Sequence, residues 1–177
     1  MSINAHGRRL LLLTLVVISF IALDQATKAL ARATLATAEP LIFAGGLARL
    51  AYAENSGAFL SLGADLPPDV RFWVFAVLVA LLLVALVVFA LRTSAQTPLL
   101  TLVAVSLFVA GGIGNLIDRL ANDGRVIDFM QVGVGWLRTG VFNVADMAIM
   151  AGVGLMVLSM LRNPAPKEEQ IDRGFGG

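Results

Sequence analysis

Apolar residues fall into four long runs separated by polar, glycine-punctuated segments: 10–30, 72–91, 98–117 and 141–161. About 20 mostly apolar residues cover the ~30 Å of bilayer hydrocarbon, and each run has that length. Lipid offers no partners to an open backbone, so such runs fold as helices. The pattern predicts an all-α membrane protein built on a four-transmembrane-helix bundle. The first run also admits a second reading, a cleavable signal peptide: Arg8 and Arg9 form a basic start, 10–23 an apolar stretch, and Ala29-Leu30-Ala31 a small-residue site. Asp24 and Lys28, between the apolar stretch and those small residues, suit a retained anchor better.

The intervening segments differ in kind. Residues 92–97 make a tight connection. Within 31–71, the portion 40–63 combines strand-like alternation ("LARLAYAE") with Gly45-Gly46, Gly57 and Gly63, which predicts a small β element. Residues 118–140 form a long, glycine-punctuated loop before the last span, a length that marks a loop as functional. Residues 1–9 read as a short N-terminal tail, 10–161 as one membrane domain, and 162–177 as a disordered C-terminal tail.

Four spans alternate in direction, so both long segments and the helix ends beside them share one membrane face. Asp24, Lys28, Asn55, Asn115, Asp118, Arg119, Asp128, Asn143 and Asp146 all lie on it. Lys and Arg are nearly equal on the two sides, but Arg8, Arg9, Arg92 and Arg162 directly flank spans on the opposite side. Basic flanks favour the cytoplasm. Both termini are therefore expected to be cytoplasmic, with the polar cluster and the β element extracytoplasmic.

Composition narrows the chemistry. Of 177 residues, 58% are hydrophobic and 14% charged, against roughly 45–50% and ~25% in soluble domains. The chain has no cysteine, which excludes disulfides and thiolate chemistry. Its one histidine, His6, lies in the N-terminal tail, and no HExxH occurs, so neither a zinc site nor a serine–histidine dyad is supplied. A net charge of +1 without basic clusters argues against nucleic acid as a partner. "GGIGN" (111–115) lacks the context of a phosphate-binding loop and fits close helix packing.

Acids remain. An ionisable group at a span is a functional candidate by default, because it costs roughly 2.5–3.5 kcal/mol to insert. Asp146 has two readings. With Asn143 as N-cap it is the N3 acid of the last helix, matched to the helix dipole. With Asp128, set in the apolar "RVIDFM", it is half of a carboxylate pair for acid–base hydrolysis, since neighbouring like charges split their proton affinities. Asp128 could instead be a loop acid paired with Arg125. Asp118-Arg119 reads as a structural ion pair, Arg119 alone as a holder of a phosphate or carbonyl oxygen, and Asp24 with Lys28 as an i,i+4 pair. Trp73, Trp136 and Tyr52 fit interface anchoring.

Taken in order, "DQATK" (24–28), "ENSGAFLSLG" (54–63), "GNLIDRL" (114–120), "GRVIDF" (124–129) and "FNVAD" (142–146) resemble the prolipoprotein signal peptidases, or signal peptidase II, bacterial four-span aspartyl proteases. The resemblance covers residues 8–161. It implies Asp128 and Asp146 as the catalytic pair, Asn55, Gly57, Asn115, Arg119 and Asn143 as substrate-contacting or supporting residues, and Asp24, Lys28 and Asp118 as structural polar groups. It implies no metal or organic cofactor. The expected substrate is a lipid-modified prolipoprotein, cut before its diacylglyceryl cysteine by a monomer in the bacterial inner membrane. Membrane phospholipid and a cyclic peptide inhibitor of the globomycin type are the other expected ligands. The segment "MQVGVGWLRTG" (130–140) lacks the aromatic-rich run of many members. Two other classes compete with this reading: a proton-coupled transporter using Asp146 and Asp24, which the one-sided placement of the acids opposes, and a non-enzymatic assembly factor.

Overall fold

The computed structural model describes residues 5–57, 65–92 and 97–163. The expected C-terminal tail beyond 163, most of the 92–97 connection and the 58–64 portion of the β element lie outside the described residues. Helix α1 spans Ala5–Leu35, beginning and ending about a turn beyond the apolar run, because nothing polar at either end breaks it. Helix α2, Pro68–Phe72, starts with a proline in its first turn, where the fixed φ suits a helix. It passes through wide π turns at Trp73–Leu78 into α3, Val79–Arg92, so the chain is helical without interruption over 68–92. Helix α4 is Leu99–Ala121 and α5 is Val144–Arg162.

Among the described residues three helices have membrane-crossing length and composition: α1 from Gly7, α4 and α5; the apolar helix Ala76–Arg92 is shorter. Helix α4 is central, packed against α5, α1 and α3. The glycines of "GGIGN" each serve a different neighbour. A Cβ on Gly111 would strike the Ala145 carbonyl of α5, one on Gly112 would lie 2.5 Å from Leu83 Cδ2 of α3, and one on Gly114 would lie 2.6 Å from Asp24 Oδ2 of α1. Gly152 returns the contact from α5, 2.7 Å from the Ala104 carbonyl. At Gly111 and Gly152 the absent side chain lets α4 and α5 close to backbone contact, while at Gly112 and Gly114 it makes room for the Leu83 and Asp24 side chains.

The expected loop at 118–140 needs correction, and with it the all-α description. After the last turn of α4 it forms strand β3, Val126–Val134, and β4, Leu137–Arg138, which join β1, Leu41–Phe43, and β2, Ala48–Asn55, in an antiparallel sheet of order β1-β2-β3-β4. The 40–63 segment supplies only half of this sheet. Strand β3 escapes a periodicity reading because its first four residues are all buried, so polar and apolar positions do not alternate. Between the pairs Leu50–Met130 and Ala53–Asp128, β2 carries one residue more than β3, a bulge that re-aims the strand next to Asp128.

On its other side β3 captures the start of α5. The amides of Phe129 and Met130 both donate to the Phe142 carbonyl, at 3.0 and 2.9 Å, and the Phe142 amide returns a bond of 2.8 Å to Met130. The sheet rests on α1 through Phe129 against Ala31 and Leu35. Large apolar residues such as Leu81, Val84, Leu91 and Met160 are exposed, whereas a cluster of Asp24, Lys28, Asn115, Asp118, Asp128 and Asn143 is buried beside the apolar core. That arrangement is expected where the surrounding solvent is hydrocarbon.

Candidate active site

Asn143 ends the extended segment before α5 and caps the helix. Its Oδ1 accepts from the Asp146 amide at 2.9 Å, and the Asp146 carboxylate accepts from the Asn143 amide at 3.1 Å. This reciprocal capping box satisfies two amides that the first helical turn would leave unpaired. The dipole-matched reading of Asp146 is therefore correct as local structure.

It does not exhaust the residue. Because Oδ1 of Asn143 faces an obligate donor, its amide nitrogen must point the other way, and it donates to Asp128 Oδ1 at 2.7 Å. The same argument orients Asn115. Its Oδ1 lies 3.0 Å from Lys28 Nζ, which can only donate, so its nitrogen faces Asp146 Oδ1 at 2.9 Å. Asn55 donates to the second Asp128 oxygen at 3.0 Å, and its own Oδ1 accepts from the Gly57 amide at 2.9 Å. Two carboxylates are thus held by three amide side chains, each locked by an obligate donor on its far side. Asn143 touches both, and it is 0% exposed.

Beneath this pair, Lys28 Nζ lies 2.9 Å from Asp24, 3.0 Å from Asp118 and 3.0 Å from Asn115, so its three N–H bonds all have acceptors. A buried ammonium is tolerable only when so satisfied. The two acids also tie elements together. Asp24 accepts from the Ala145 amide in the first turn of α5 at 2.8 Å, and Asp118 from the Ile127 amide beside Asp128 at 2.9 Å. Lys28 therefore links the three structures that carry the site: α5, β3 and α4.

Asp128 lies on the strand, outside the helices. Its carboxyl is raised from its ordinary 3.8 to about 6, chiefly by burial; the charge of Asp146 pushes the same way, while the Asn55 and Asn143 hydrogen bonds and the charge of Lys28 oppose it. A buried carboxyl whose proton affinity is raised in this way beside a second carboxylate is equipment for general acid–base catalysis.

The comparisons with known proteins bear on this geometry. A family model described as Signal peptidase (SPase) II matches residues 16–162. The chain belongs to the signal peptidase II family. Lipoprotein signal peptidases of Desulforapulum autotrophicum and Geobacter sulfurreducens are each 36% identical to it, over 91% and 86% of this chain and 98% and 92% of theirs. A solved bacterial membrane enzyme, 28% identical, superposes with a TM-score of 0.75 over 89% of this chain and 92% of its own. The family is one of bacterial membrane peptidases.

In this member of the signal peptidase II family, the candidate site residues converge on one cluster, with two partner assignments to correct. Asp118 pairs with Lys28, not with Arg119. Arg119 donates to the Gly57 carbonyl at 2.9 Å and to the Asn115 carbonyl at 3.3 Å, tying the turn after β2 to α4. Arg125 pairs with Glu54 at 2.9 Å on the surface, so the reading of Asp128 as its partner falls. One contributor was missed: Gln25 Nε2 lies 3.1 Å from each of Asp24, Asp118 and the Gly114 carbonyl. Its position inside "DQATK", next to an acid where the apolar stretch of α1 gives way to polar residues, was the available signal.

Proposed function

We propose that this chain is an aspartic endopeptidase that removes the signal peptide from diacylglyceryl-modified bacterial prolipoproteins, cutting before the lipidated cysteine. The carrying observation is that Asn143 engages both Asp128 and Asp146, one through its side-chain amide and the other through its backbone amide. In this reading the pair shares one proton. The ionised member takes a proton from a water between the two carboxyls, and that water attacks the scissile carbonyl. The protonated member hydrogen-bonds the carbonyl oxygen, and a proton passes to the amine as it leaves. Asn55, Asn115 and Asn143 orient the carboxylates. Arg119 and Gly57 shape the turn over them, whose backbone accepts the extended peptide.

The 68–92 helix serves as a fourth span, giving four spans with both termini cytoplasmic in the inner membrane. The site then opens at the extracytoplasmic interface, where acyl chains stay in lipid while the peptide bond meets water. The enzyme works as a monomer and binds cyclic peptides of the globomycin type at this site. The test is to express Asp128→Asn and Asp146→Asn separately and follow a lipidated precursor in membranes. Each variant, at normal enzyme level, should accumulate uncut, lipid-modified precursor; cleavage that survives both substitutions sinks the proposal.

A further inference from the structure

The end of the sheet farthest from Asp128 is apolar and uncovered. At the β3–β4 turn, Val134, Trp136 and Leu137 are 72%, 92% and 67% exposed, and Phe43 and Leu47 beside them are 49% and 50% exposed. These residues come from opposite edges of the sheet but form one rim. The Gly133 amide donates to the Leu47 carbonyl at 2.8 Å. The Arg138 side chain lies across Gly133, where a Cβ would be 2.8 Å from its Cγ, and its Nη2 stops 3.8 Å from the place of a Cβ on Gly46. A contiguous apolar rim of this kind marks an interaction surface.

Its neighbour indicates what covers it. Val132, Arg138 and Thr139 share a pocket of about 370 Å³ with Phe142, Asp146, Met147 and Met150, so it borders the site at its inner end. Those methionines lie one and two turns past the Asn143 cap on the outer side of α5, 53% and 56% exposed. Helix α5 has membrane-crossing length. Arg138 and Thr139 thus stand across this cavity from the outward-facing methionines of that helix. Arg138 donates through Nε to the Gly135 carbonyl at 3.0 Å, while its Nη1 is buried without a partner. Arg138 as a residue is only partly buried, beside the exposed Trp136, and the two match the headgroup layer: indole prefers the interface, and the guanidinium N–H groups other than the buried Nη1 and the engaged Nε suit a phosphate oxygen.

We propose that the β3–β4 hairpin is a membrane contact additional to the helices, with Trp136 seated among the headgroups of the adjoining leaflet and Arg138 against a phospholipid phosphate. It sets the height of the sheet, and so of Asp128, above the hydrocarbon. The proposal does not depend on the peptidase chemistry.

The test uses the full chain carrying Trp73→Phe, which leaves Trp136 as its sole tryptophan, reconstituted in phosphatidylglycerol–phosphatidylcholine vesicles with brominated acyl chains. Trp136 should emit at short wavelength, and lipid bromine should quench it several-fold more than aqueous iodide. Adding Leu137→Ser should weaken the lipid quenching, and Arg138→Gln should shift it toward shallower bromine positions. Water-like emission with dominant iodide quenching overturns the proposal. So does short-wavelength emission that lipid bromine leaves unchanged but that varies with protein-to-lipid ratio, which indicates self-association. If Trp73→Phe fails to fold, the difference spectrum between the unmodified chain and Trp136→Phe gives the same readout.

Discussion

Asn143 Nδ2 lies 2.7 Å from Asp128 Oδ1, while the backbone amide of the same residue lies 3.1 Å from Asp146. The spacing of the two carboxyls is therefore set by one residue that has no freedom of its own, because its Oδ1 is engaged by the Asp146 amide. Helix capping and site assembly are the same set of bonds.

Capping and site assembly can be separated by substitution. Asn143→Ser keeps an N-cap oxygen but loses the donor to Asp128, whereas Asn143→Ala loses both. The alanine variant should lose about 0.5–2 kcal/mol of stability from the cap, and the serine variant much less of that term. Both should lose the charged hydrogen bond, and activity should fall roughly tenfold to a hundredfold. Thermal melts in detergent beside cleavage rates of a lipidated peptide read the two quantities. Serine with full activity would show that the Asp128 contact does not matter.

Lys28→Met leaves Asp24 and Asp118 buried without their cation and should destabilise the protein by about 3–5 kcal/mol. Adding Asp24→Asn and Asp118→Asn removes the stranded charge, yet each Asn keeps an oxygen for the Ala145 and Ile127 amides. The triple variant should melt well above Lys28→Met. A triple variant no more stable than the single one would mean that the ion pairs are not what Lys28 contributes.

The pH dependence follows from Asp128. Its folded carboxyl is raised from 3.8 to about 6, so over that window the folded state holds a proton that the unfolded chain gives up. This group's contribution to stability is complete below the lower value and is lost as pH rises through about 6. Asp128→Asn should lack this part of the pH slope in thermal melts between those limits. In kcat/KM the pair should show an ionisation near 6, and Asn55→Leu, which removes a donor that favours the charged form, should move it upward. A downward or absent movement contradicts the assignment.

Much of this was legible in the chain. Run length identified the helices, because hydrocarbon thickness and the demand for internal backbone bonding leave no other structure for such sequences. Alternating direction collected Asp24, Lys28, Asn115, Asp128 and Asp146 on one face, and the Asn143–Asp146 spacing identified the cap. The glycines of "GGIGN" were correctly read as packing, although the identity of each neighbour was not.

What the sequence determined by itself, then, was the helices, the segment that supplies β1 and β2, and the gathering of the polar groups, since local bonding and solvent polarity act on short, contiguous segments. Tertiary structure alone decided who pairs with whom. Asp118 selects Lys28 over the adjacent Arg119, and β3 pairs with β2 and with Phe142, because those choices depend on partners 12 to 90 residues away. A strand buried from its start, as β3 is, carries no alternation to announce it. Its hydrogen bonds to Phe142, with the Asp118 and Asn143 bonds to Ile127, bring Asp128 beside Asn143.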